Sequence, residues 1–113
     1  MNPAEAFARH ALRLDYAALP AEAVMAAKTF ILDTFGVGVA GAKARHADEV
    51  LRAARGWGAG STGDAAHTWA SGARLPAVQA AFVNAFQIHC QEYDCVHEPA
   101  VVHPLATILA ALC

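Results

Sequence analysis

The sequence predicts an all-α helical bundle. Apolar residues recur at helical spacing in five stretches, prolines stand where helices would begin, and alanine, the strongest helix former, dominates. Extended backbone has room in one place only, a short segment near 66–70 reading AHTWA. The chain of 113 residues is long enough for one domain with a real core and too short for two. Residues 1–113 therefore read as a single helical domain.

Asn2-Pro3 opens the first helix, with Asn as a cap and Pro preorganised at the first helical position. Phe7, Ala8, Ala11, Leu12 and Leu14 give it one apolar stripe. The segment DYAALP, residues 15–20, breaks it, and Pro20 starts a second helix expected from Ala21 to about Gly41. Val24, Ala27, Ile31, Phe35 and Val39 recur there, and Phe30 and Leu32 widen the face, so burial on more than one side is expected. Asp33 sits inside this band, either as a hydrogen-bonded structural carboxylate or as a catalytic group. Gly36, Gly38 and Gly41 each cost the helix about 1 kcal/mol relative to Ala, a cost tolerable where another backbone packs closely.

A third helix is expected from His46 to about Arg55, with Val50, Leu51 and Ala54 inward. The stretch GWGAGSTGD, residues 56–64, is a connector. It lacks both the lysine and the glycine spacing of a phosphate-binding loop. After a turn at Ser71-Gly72, Leu75-Pro76 is expected to begin a fourth helix running through Ile88 and rich in small residues. Pro104 begins a last helix, PLATILAALC, whose end has no polar turn, glycine cap or basic last turn. That ending predicts a fragment of a longer chain or a truncated reading frame.

Hydrophobic residues make up 57% of the chain and charged ones 16%, which excludes a disordered chain and exceeds the usual apolar share of a small domain. A surface meant for a partner is expected. The best apolar run, residues 29–42, carries Asp33 and the three glycines and falls short of a membrane-spanning helix. Glu5, Arg9, His10 and Arg13 exclude a secretory signal at the start. A formal charge of −2 without a basic run argues against nucleic acid as a partner. The odd count of 3 cysteines, without CxxC, points to reduced thiols and a cytoplasmic setting.

The chemistry gathers in residues 80–104, AAFVNAFQIHCQEYDCVHEPAVVHP. His89, Glu92, Asp94, His97, Glu98 and His103 fall within fifteen positions there, beside Cys90 and Cys95. Buried polar groups need partners, so a cluster between apolar helices calls for an explanation. Acid–base chemistry is one, since histidines and carboxylates suit proton abstraction beside a carbonyl. A metal site is another: His89 and Glu92 are three apart on one helical face, and Asp94, His97 or His103 could add a third ligand. A Cys90 or Cys95 nucleophile with His97 as base is a third, and a structural loop capping two helices a fourth.

Two separated segments carry a resemblance. Residues 19–42, LPAEAVMAAKTFILDTFGVGVAGA, and residues 80–104 together resemble the amino-terminal part of the MmgE/PrpD family. That family contains 2-methylcitrate dehydratases, cis-aconitate decarboxylases and iminodisuccinate epimerases. The resemblance implies an all-helical domain, a smaller α+β lid, a homodimer and an active site in the cleft between domains. The family's central motif reads H-x-x-D-[FY]-D-D-T-H, followed shortly by H-P. His89, Glu92, Tyr93, Asp94, His97 and His103-Pro104 match it, whereas Cys95 and Val96 replace an Asp and the Thr. A carboxylate and a hydroxyl are thereby absent from the implied site.

The function so implied is a dehydratase-like lyase acting on a small polycarboxylate such as 2-methylcitrate, with no metal or organic cofactor. In it Asp94 and His103 handle protons, helped by His97, while Glu92 and His89 contact and position the substrate. A dicarboxylate epimerase on the same scaffold and a non-catalytic helical module that forms oligomers are the alternatives. No nucleic acid or membrane partner is expected.

Overall fold

The computed structural model describes residues 2–57 and 65–113. Among them are five α-helices and one two-stranded antiparallel sheet: α1 (Pro3–Arg13), α2 (Ala21–Gly41), α3 (Ala47–Trp57), β1 (Ala65–His67), β2 (Arg74–Pro76), α4 (Ala77–His89) and α5 (Pro104–Leu112). The all-α class is borne out, with the sheet as its one extended element. Most of the glycine-rich connector expected at 56–64 lies outside the described residues, and its first two positions complete α3.

The helix starts follow the sequence signals. Asn2 Oδ1 accepts from the Ala4 backbone N–H at 3.0 Å, with Pro3 behind it, and Glu5 pairs with Arg9 one turn on at 2.6 Å. Asp15 caps a single tight turn, Tyr16–Ala18, that carries the chain into α2. The apolar stripe of α1 finds no cover among the described residues: Phe7 and Leu12 are 76% and 88% exposed.

α4 is the hub. It packs against α2, α3, α5 and both strands. On one side Ala54, Leu75, Ala80 and Val83 form a cluster closed by Val50, Leu51 and Ala66; on the other Ile88 meets Ala106, Ala110 and Trp69. Asn84, fully buried on α4, ties the sheet down by accepting from the Trp69 N–H at 3.0 Å and donating to the His67 carbonyl at 3.2 Å. A buried amide so satisfied fixes register without an unpaired polar group.

Three expectations are corrected. Leu75-Pro76 does not begin the fourth helix but ends β2, because a residue before proline is driven towards extended backbone. The extended segment is 65–67 and not 66–70; Thr68 to Ala73 form the turn, with Gly72 at a left-handed φ of 65°. The wide apolar band of α2 is not buried on several sides among the described residues: only Thr34, Gly38 and Gly41 of this helix are buried, and Met25, Phe30, Leu32 and Val39 stay exposed.

The glycines of α2 divide accordingly. A Cβ on Gly41 would stand 1.8 Å from the Gln87 carbonyl oxygen of α4, and one on Gly38 would meet the Trp69 ring at 3.0 Å. Gly36 faces open space. By length and composition alone α2 could cross a membrane, with 21 residues and a mean hydropathy of 1.4 in its most apolar window, so as a helix it does not fall short of spanning length. Its close approach to α4 is a packing contact within the domain.

Candidate active site

The site is built where α4 ends and α5 begins. His89 is the last residue of α4, and Glu92 then takes a left-handed φ of 55° with its N–H bonded to the His89 carbonyl. That turn reverses the chain and sinks Asp94, whose side chain is 0% exposed. The loop closes on itself: the His97 N–H donates to the Val102 carbonyl at 2.9 Å across an isolated bridge. Within it Glu98–Ala100 make one tight turn, and Val101 adopts φ 51°, ψ 50°, an unfavourable conformation for a β-branched residue. The bridge sets His103 down beside Asp94, and Pro104 restarts the helix.

Asp94 thus lies between two imidazoles. His89 Nδ1 is 3.0 Å from Asp94 Oδ1, a hydrogen bond, and His103 Nδ1 is 3.2 Å from Asp94 Oδ2. The second pair is close but lacks hydrogen-bond alignment, so Asp94 Oδ2 and His103 Nδ1 are both buried without a bonded partner. The two rings lie 4.6 Å apart, centroid to centroid. One donor atom from each of His89, Asp94 and His103 lies within 4.8 Å of the others.

Of the residues the sequence nominates, the fold brings His89, Asp94 and His103 together. It sets Glu92 and His97 apart from them: both are exposed, and His97 Nδ1 accepts from the Ala100 N–H at 3.3 Å. The helical face expected to unite His89 and Glu92 is not formed, because α4 stops at His89. Asp33 is exposed on α2. Two cavities flank the loop. One of about 540 Å³, lined by Phe82, Phe86, His89, Val102 and His103, opens on the cluster. The other, about 380 Å³, lies between α2 and the loop, lined by Phe30, Ile31, Cys95, Val96 and His97.

The surroundings of Cys90 and Cys95 disfavour the thiolate form. Burial pushes the Cys95 thiol up, and the charges of Asp94 and Asp33 push it further. Cys90 is raised as well, first by burial and also by Asp94, and its Sγ contacts the Gly41 and Gln87 carbonyls. Burial first, and the nearby carboxylates after it, oppose a thiolate and with it the Cys–His reading.

Fold and cluster define a helical domain that presents an imidazole–carboxylate–imidazole group at a helix–loop–helix junction. Residues 5–113 match the family model for the MmgE/PrpD N-terminal domain, and the chain belongs to that family. Neither the curated proteins nor the solved structures searched contain a match to the chain.

Proposed function

We propose that this domain carries the proton-transfer groups of a dehydratase-like lyase acting on a small polycarboxylate. The observation that carries the reading is the sealed Asp94 carboxylate held between His89 and His103 beside a cavity of about 540 Å³. Family membership supports it, because the MmgE/PrpD resemblance implies dehydratases and related lyases of such acids.

Asp94 is too buried to meet a substrate, so its role is to hold His89 through a hydrogen bond at Nδ1 and to set its charge 3.2 Å from His103 Nδ1. Nε2 of each ring is then the nitrogen left to exchange protons. One negative charge offsets one imidazolium, and two charged rings 4.6 Å apart would repel. One ring therefore serves as base and the other as acid. The base takes the proton from the carbon beside a carboxylate, the C–O bond to the β-hydroxyl breaks, and the acid gives that oxygen its proton. The products are an alkene and water. Glu92 and His97, exposed on the outer side of the loop, are assigned to contacts with substrate or with neighbouring parts of the enzyme.

The reading includes a soluble cytoplasmic protein that self-associates. The three free cysteines and the uncovered apolar residues of α1 and α2 support it. The test is proton NMR of 2-methylcitrate and related hydroxy-polycarboxylates incubated with the protein in heavy water. Elimination is expected, falling about a hundredfold or more in His103→Ala. Solvent deuterium at the reacting carbon without elimination would make it an epimerase; neither outcome for any acid would sink the assignment.

A further inference from the structure

We propose that His89, Asp94 and His103 form a binding site for a divalent transition-metal ion of the zinc class, and that a bound ion silences the site. The silencing, though not the binding, rests on the proton-transfer reading above. Two imidazole nitrogens and a carboxylate are the ligand set that zinc and its neighbours accept, and three protein ligands leave a position open to solvent.

Each imidazole Nδ1 already stands at ligand spacing from one Asp94 oxygen, and the three donor atoms lie within 4.8 Å of one another, so a bound ion must draw the two rings together. Neighbouring ligands on an ion with bonds of about 2.1 Å stand roughly 3 to 3.5 Å apart. The Nδ1–oxygen separations here are 3.0 Å and 3.2 Å. At the second of these no hydrogen bond is made, and Asp94 Oδ2 and His103 Nδ1 remain buried and unpartnered. Leaving such atoms unpaired inside a protein is costly. A cation between them would satisfy both at once, and would also offset the charge of a carboxylate sealed from water. His89, with a side chain 46% exposed, opens the cluster to the cavity and gives an ion its way in.

Silencing follows from the tautomer. An imidazole bound to a metal through Nδ1 keeps its remaining proton on Nε2. Nε2 is the atom the proposed base needs free. The ion is thus an inhibitor of this site and not its cofactor.

The test is equilibrium dialysis of the protein against Zn²⁺, with Co²⁺ absorption as a second probe of the ligand set. One ion per chain is expected, with affinity reduced tenfold or more in His89→Gln and in His103→Gln and unchanged in His97→Ala. His89→Gln alters an exposed side chain, so its result does not depend on whether a buried substitution folds. Absence of saturable binding below millimolar zinc, or binding indifferent to both glutamine variants, overturns the site. Polycarboxylate turnover that zinc leaves unchanged while dialysis finds the ion bound overturns the silencing alone. A protein that binds zinc and turns over no polycarboxylate refutes the lyase reading and leaves the metal site standing.

Discussion

Two faces of α2 live in different surroundings. One runs against α4 with no space for a side chain at Gly41, while the other carries Met25, Phe30, Leu32 and Val39 into the open. The same contrast holds for the whole chain. Everything that touches α4 is fixed by small residues, a satisfied asparagine and two apolar clusters, whereas α1 buries nothing. Apolar content therefore does not measure packing here. Among the described residues a minority of the apolar side chains build a core and the larger share stay at the surface, and only the buried minority holds the candidate site in place.

The sharpest way to break this contrast is Gly41→Ala. Its new methyl would meet backbone and not a flexible side chain, so α2 and α4 must part, and a loss of about 3 kcal/mol or failure to fold is expected in urea denaturation. Asn84→Ala comes next. It strips the Trp69 N–H and the His67 carbonyl of their partner, and a loss of about 2 kcal/mol should appear in the same measurement. Gly36→Ala tests the other side of the comparison. With open space around it and a helical backbone, alanine should raise stability by about 0.5–1 kcal/mol; a loss at Gly36 as large as that at Gly41 would refute the division.

Much of this was legible in advance, for identifiable reasons. Helix periods, the Asn2-Pro3 start and the breaking segment before α2 are local signals, and local signals are written in neighbouring residues. Gly38 and Gly41 announced a close approach because glycine inside a helix has few other uses. The second strand was not legible, since Leu-Pro reads equally well as a helix start. Nor was the grouping of the site. It depends on α4 ending at His89, on a left-handed Glu92 and on a left-handed Val101, none of which their side chains favour. The burial of Asp94, on which the proposed chemistry turns, comes from packing around the loop and leaves no mark in spacing.

The bridge between His97 and Val102 has a consequence for how this loop can change over time. It is a clasp of fixed circumference. Residues 98–101 can exchange their side chains while the clasp stays shut, but an added or deleted residue would open it and swing His103 away from Asp94. Evolution can respell this loop without being free to resize it.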